Sequence, residues 1–153
     1  MLKAIIFDFQ GTLFDSISAL NTGAKELMDF AKANGLKMAG ITSGSYEDTI
    51  LNHLGLKDAM EEIKIVSMSK TPDDFEEVMK SLGTTAEETL VVGDQLSQEI
   101  RCGNMLGSTT IFLHKGRAVA DSVNVHEHPD HSVKDLKESQ AIIEKILVEE
   151  KEA

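Results

Sequence analysis

Short apolar runs that end in a polar or glycine turn, each followed by an amphipathic stretch, recur along the whole chain. That alternation restricts the fold more than any other feature of the sequence. A strand buried on both faces reads as a continuous apolar run, and the crossover to the next parallel strand needs a helix to cover the sheet. Lys3 to Phe7 is the first such strand. Asp15 or Ser16 can cap a helix running to about Ala33, with Ile17, Leu20, Ala24, Leu27, Met28 and Ala31 at helical spacing and Asn34-Gly35 as its stop. Leu36 to Ile41 is a second strand, and Tyr46 to Leu54 a helix that Gly55 terminates. Ile63 to Met68 is a third strand. Thr71-Pro72-Asp73-Asp74 then supplies an N-cap, a proline at the first helical position and acidic residues in the first turn of a helix that stops at Gly83. Thr89 to Val92 is strand four, Leu96 to Leu106 a helix ended by Gly107, and Thr109 to Leu113 strand five. Lys115 to Asp130 has no clear period, His131 to Val133 is a short sixth strand, and Lys134 or Asp135 to about Glu149 is a last helix with a fraying tail to Ala153. The expectation is one α/β domain over residues 1–153, a doubly wound (Rossmann-like), mostly parallel sheet of five to six strands.

Charge and cysteine usage narrow the functional classes. Asp and Glu number 26 against 15 Lys and Arg, a formal net charge of -11, so the basic footprint of a nonspecific nucleic-acid binder is missing. The same balance disfavours an anionic membrane surface. A phosphorylated substrate stays compatible, because a metal and a few local lysines set the field at a site. Cys102 is the only cysteine, which excludes an internal disulfide and fits a cytoplasmic protein. No apolar stretch reaches spanning length.

Chemistry-bearing residues sit at strand ends, where an open α/β sheet binds its ligands. Asp8 ends the run Ala4-Ile5-Ile6-Phe7 and opens the turn Gln10-Gly11-Thr12. Thr42 and Ser43 follow strand two, Lys70 follows strand three, and Gly93-Asp94 follows strand four. A carboxylate can attack phosphorus, a hydroxyl and backbone N–H groups can hold phosphoryl oxygens, and a lysine can neutralise them. Two carboxylates at neighbouring strand ends can share one hard cation such as magnesium.

In this order the four segments resemble the haloacid dehalogenase (HAD-like) superfamily, most of whose members are magnesium-dependent phosphatases. Asp8-Phe9-Gln10-Gly11-Thr12-Leu13 resembles its first motif, Asp-x-Asp-Gly-Thr. Ile41-Thr42-Ser43 resembles its second, Lys70-Thr71-Pro72-Asp73 the Lys-Pro region of its third, and Gly93-Asp94 with Glu99 its fourth. The Gly103-Asn104-x-x-Gly107 run also looks like that family. The resemblance implies that Asp8 is the nucleophile, that Thr42, Ser43, Lys70 and Gly11 contact phosphate, and that Asp8, the Gln10 carbonyl, Asp94 and Glu99 serve magnesium.

Two departures stand out. Gln10 occupies the place of the second Asp, which in the family protonates the leaving oxygen and activates water. Glutamine does neither near neutral pH, and losing a general acid/base removes about 10²–10⁴-fold of rate. Glu99 stands where Asp is more usual and still offers a carboxylate. The spacing leaves no room for a cap domain between Leu13 and Ile41 or between Gly44 and Ser69, so the site is expected to be open, suiting a large or macromolecular phosphorylated substrate. A monomer and a homodimer are both compatible.

Three readings follow: a capless phosphohydrolase with a slowed acid/base step, a phosphate-binding scaffold that has abandoned turnover, and a dehalogenase, which the absent cap disfavours. The bland alternatives are a strand-end carboxylate for Asp8, turn residues for Thr42 and Ser43, a solvated lysine for Lys70 and a surface acid for Glu99. Pro129 breaks regular ligand spacing in His126-Glu127-His128-Pro129-Asp130-His131, which reads as a surface loop. Cys102 and Met28, Met38, Met60, Met68, Met79 and Met105 read as packing residues.

Overall fold

The computed structural model describes residues 1–115 and 124–153. Six strands form one all-parallel sheet in the order β3-β2-β1-β4-β5-β6. They are β1 Ala4–Phe7, β2 Lys37–Thr42, β3 Glu62–Ile65, β4 Thr89–Gly93, β5 Thr109–Leu113 and β6 His131–Val133. Helices α1 Ala24–Ala33, α2 Asp48–His53, α3 Leu56–Ala59, α4 Pro72–Leu82, α5 Arg101–Leu106 and α6 Leu136–Glu152 connect them and close the chain. The strand order reverses at β1, so the first two strand ends to diverge, β1 and β4, open the crevice where such sheets place ligands.

The two-residue period of each strand divides the core into two layers. Ile5, Phe7, Leu90, Val92, Ile111 and Leu113 face α1 and α6, meeting Leu27, Met28, Ala31, Leu136 and Ile143. The alternate residues Ala4, Ile6, Ala39, Ile41 and Val91 meet Phe75, Val78, Met79 and Leu82 of α4 and Cys102 of α5. Ile5, Ile6, Phe7 and Phe75 have no accessible surface. Burying a side chain of that size contributes about 1.5–3 kcal/mol, so β1, covered on both faces and flanked by two strands, is firmly held.

Several boundaries differ from the sequence expectation. Residues 15–23 are not helical, and α1 starts at Ala24 behind Gly23, whose φ of 88° no helix tolerates. The segment instead winds back on itself: the Phe9 carbonyl accepts the N–H groups of Thr12, Leu13 and Phe14, and Asn21 N–H donates to Leu13 O. Leu13 and Phe14 take the buried places, while Ile17 is exposed. The helix expected from Tyr46 to Leu54 is α2, starting at Asp48, and Gly55 (φ 73°) separates it from α3. β3 stops at Ile65, because β2, its only partner, ends at Thr42. The Leu96–Leu106 helix begins as a π-helical turn, Leu96–Ile100, before α5. The tail expected to fray remains helical to Glu152, with Glu150 accepting the Leu2 N–H. Met68 and Met105 are exposed rather than packed, whereas Met28, Met38, Met60 and Met79 are core. Part of the irregular stretch Lys115 to Asp130 lies outside the described residues. Of the rest, Val125–Glu127 forms a single 3₁₀ turn.

No domain is inserted between β1 and β2 or between β2 and β3; the first connection carries α1 and the second only the short α2 and α3. The capless α/β architecture read from spacing is the observed one.

Candidate functional site

The sheet register brings the separate segments to one edge. Phe7 of β1 lies opposite Gly40 of β2 on one side and Val92 of β4 on the other. The Asp8 N–H extends the ladder by donating to Val92 O at 3.1 Å. Residues one or two steps beyond each strand therefore meet at the carboxyl end of the sheet. The turn after β1 is pinned by Phe9, whose ring lies over Gly40. A Cβ there would sit 2.2 Å from the ring, so only glycine lets this aromatic close over the sheet.

Three carboxylates converge. Asp8, Asp94 and Glu99 each present an oxygen within 4.8 Å of the other two. Gly11 (φ 92°) makes room for this: a Cβ at that position would come within 2.2 Å of Asp94 Oδ2. Gly93 does the same for the longer Glu99 stem, since its Cβ would meet Glu99 Cγ at 2.5 Å. The π-helical turn bends Glu99 back so that its Oε2 accepts the Gln95 N–H at 3.2 Å. One methylene more than Asp is thus accommodated by a glycine and a widened turn.

Lys70 lies across two of these carboxylates. Its Nζ is 2.5 Å from Asp8 Oδ1 and also pairs with Glu99 Oε1. Its backbone N–H donates to Gln98 Oε1 at 3.1 Å, which fixes the segment leading into α4. The other Asp8 oxygen accepts the Thr12 hydroxyl at 3.3 Å. All three charged groups are buried: Lys70 is 5% exposed, Asp8 7% and Glu99 2%. Burial, then the Glu99 charge, push the Asp8 carboxyl up to about 8 against the lowering effect of Lys70. Burial pulls the Lys70 ammonium down, but the charges and hydrogen bonds of Glu99 and Asp8 outweigh it, so it lies above its ordinary value. Burial raises the Cys102 thiol to about 11, in keeping with a packing role.

A polar cavity of about 260 Å³ opens on this group, lined by Asp8, Gln10, Thr42, Ser43, Gly44, Tyr46, Lys70, Gln95, Gln98 and Glu99. Thr42 is buried and its Oγ1 accepts the Gly44 N–H at 3.1 Å, leaving its O–H proton as a donor. Gln10 is exposed at the mouth. Gly11 is placed differently from its expected phosphate contact, since its N–H donates to Phe14 O at 2.8 Å and it does not line the cavity. Sequence reading missed Tyr46, Gln98 and Thr12. Tyr46 lies in the loop before α2 rather than in the helix its pattern predicts, and its hydroxyl donates to Gln10 Oε1 at 3.1 Å. A larger cleft of about 680 Å³ runs between residues 18–29 and Asn52–Ala59. Two of its charged groups, Lys25 and Asp29, pair with each other at 2.7 Å. His126 and His128 are exposed, and their backbone carbonyls accept from Asn104 Nδ2. Among the described residues only Asp8, Asp94 and Glu99 are grouped as metal ligands could be.

The donor set suits a hard divalent cation. All three candidate ligands are carboxylate oxygens within 4.8 Å of one another, and oxygens opposite one another around magnesium are about 4.2 Å apart. Glycines at 11 and 93 leave room for the carboxylates to approach one another, and Lys70 pairs with two of them from the side.

Comparison with known proteins agrees with this layout. Residues 71–139 match the HAD-hydrolase-like family model. A HAD phosphatase from Thermococcus onnurineus superposes with a TM-score of 0.77 at 17% identity, covering 93% of this chain and 98% of that one. A putative beta-phosphoglucomutase from Thermotoga maritima gives 0.74 at 14% identity over 95% and 100%. The L-2-haloacid dehalogenase from Xanthobacter autotrophicus gives 0.74 at 15% identity over 94% and 99%. No curated protein sequence matches. The superpositions establish the fold over nearly the whole chain, and no helix among the described residues is long and apolar enough to cross a membrane. The family match runs across α4, β4, β5 and β6, and the superpositions show that the chain has the fold of these HAD-type proteins.

Proposed function

We propose that the whole chain acts as one magnesium-dependent phosphatase or phosphotransferase domain that works through an aspartyl-phosphate on Asp8. The observation that carries this reading is the placement of Asp8 beside Lys70, within 4.8 Å of two further carboxylates, in a polar cavity at the carboxyl ends of parallel strands. Asp8, Asp94 and Glu99 would hold the cation, with the Gln10 carbonyl as a further ligand. When bound, magnesium supplies positive charge to the phosphoryl oxygens and keeps Asp8 ionised.

Asp8 attacks phosphorus through a carboxylate oxygen, a P–O bond forms, and the bond to the leaving oxygen breaks with its electron pair. The Thr42 O–H donates to a phosphoryl oxygen and Lys70 balances its charge. Ser43, beside Thr42 at the mouth, adds a second hydroxyl. Gln10 cannot remove a proton from water, so the phosphorylated protein accumulates. The open mouth supports a large phosphorylated substrate or a partner protein, in the cytoplasm. A module that only binds phosphate is the competing reading, and Gln10 is the observation in its favour.

Incubation with acetyl phosphate and magnesium, followed by mass spectrometry, tests the proposal. One phosphoryl group should appear on Asp8, depend on magnesium and vanish in Asp8→Asn. Steady hydrolysis with no covalent phosphate on Asp8 would exclude the mechanism. No reaction at all would favour the binding module.

A further inference from the structure

Gln10 is held in place by a side chain from another segment of the fold. Tyr46 comes from the loop after β2, 36 residues along the chain, and its hydroxyl donates to Gln10 Oε1 at 3.1 Å. Its ring is held edge-on against Phe14, with centroids 5.4 Å apart and planes at 84°, and Phe14 has no accessible surface. Gly44 leaves the space the hydroxyl occupies, since a Cβ there would lie 2.7 Å from it. Two buried or backbone constraints therefore position Tyr46, and Tyr46 positions the carboxamide. With Oε1 engaged, the amide nitrogen is the end available to the cavity, and it carries two N–H donors and no acceptor.

Resting on the Asp8 phosphoryl-transfer reading, we infer that the Tyr46–Gln10 pair selects phosphoryl donors whose leaving oxygen departs without a proton: acyl phosphates and phosphoanhydrides rather than alkyl phosphate monoesters. An N–H donor stabilises negative charge on a departing carboxylate or phosphate oxygen and gives up no proton. An alkoxide is a far stronger base and needs that proton as the P–O bond breaks. With an acyl phosphate the balance closes within the site: the Asp8 oxygen bonds to phosphorus, the P–O bond to the acyl group breaks, and the carboxylate leaves as an anion. Tyr46 is a positioning residue for Gln10.

Two measurements test this. Asp8 phosphorylation is timed with acetyl phosphate, an aryl phosphate and an alkyl phosphate, each with magnesium, in the parent chain and in Gln10→Asp. The alkyl ester should lag acetyl phosphate by at least about 100-fold in the parent, and Gln10→Asp should narrow that gap by about 10²-fold or more. Equal rates across the three donors would overturn the inference and leave the aspartyl-phosphate intact. Labelling by none of them would instead remove the aspartyl-phosphate reading itself. Separately, the Gln10 carboxamide signal in nitrogen-15 NMR of the metal-free protein should report a rigid group, which Tyr46→Phe and Gly44→Ala loosen to the mobility of Gln140 on α6. An unchanged Gln10 signal in both variants would refute the positioning role of Tyr46, whatever the labelling shows.

Discussion

Replacing Lys70 with methionine is the sharpest perturbation of this site, because methionine keeps most of the stem and deletes the charge. Two buried carboxylates, Asp8 and Glu99, lose their shared cation. Removing one partner of a buried ion pair costs about 3–5 kcal/mol, since a buried charge is left uncompensated. For a chain of this size that corresponds to a fall in Tm of about 6–20 °C, at roughly 2–4 °C per kcal/mol. Protonation limits the loss. Burial and Glu99 already lift the Asp8 carboxyl from 3.8 to about 8 with Lys70 in place, and without the ammonium it rises further. A raised folded-state value means the folded protein holds a proton that the unfolded chain lacks, so stability declines as pH climbs through that value. The deficit of Lys70→Met should therefore be near the lower limit at about pH 6 and grow toward about pH 9. Added magnesium at 100 times its Kd should return about 2.7 kcal/mol to either protein. Thermal unfolding at both pH values, with chelator and with magnesium, reads all of this. A Tm within about 2 °C of the parent at both pH values would refute the claim that the buried pairs stabilise the fold.

Magnesium must displace the proton that burial keeps on Asp8, so its apparent affinity should rise with pH and level off above about 8. Calorimetry in buffers of different ionisation enthalpy should find close to one proton released near pH 6 and almost none near pH 9, and equal release at both would contradict the assignment. Gly11→Ala should cost about 1–2 kcal/mol for a side chain in the left-handed region and weaken magnesium binding at least tenfold, because its Cβ meets Asp94 Oδ2. Gly35→Ala has a similar φ of 73° with nothing within 4 Å, so it should lose stability alone. Equal magnesium affinity in the two variants would show that the space left at Gly11 does not shape the site.

Particular residues show how far the sequence carries. The run Ala4 to Phe7, buried on both faces, could only be an inner strand, and β5 and β6 begin and end where their pattern says. Thr71-Pro72 starts α4 as its chemistry requires, with Asp74 accepting both the Thr71 N–H and its hydroxyl. The stretch from Asp15 to Gly23 misleads for a physical reason. Its apolar spacing is helical, but the Phe9 carbonyl gathers three N–H groups and draws Leu13 and Phe14 into the core, while Gly23 sets the helix start. Periodicity counts neighbours along the chain and is blind to a carbonyl that turns the chain back.

The amino-acid order alone determined the alternating α/β layers, the lack of an inserted cap and the set of strand-end residues worth watching, because side-chain period and turn chemistry are local properties. Which of those residues meet follows from how the strands and helices pack together. That packing put Lys70 across Asp8 and Glu99, turned the Gly11 N–H away to Phe14, and brought Tyr46 to Gln10. Those encounters depend on parallel register, on glycines that leave room for a neighbour's side chain, and on charges buried deeply enough to need one another, and none of these is encoded within a window of adjacent residues.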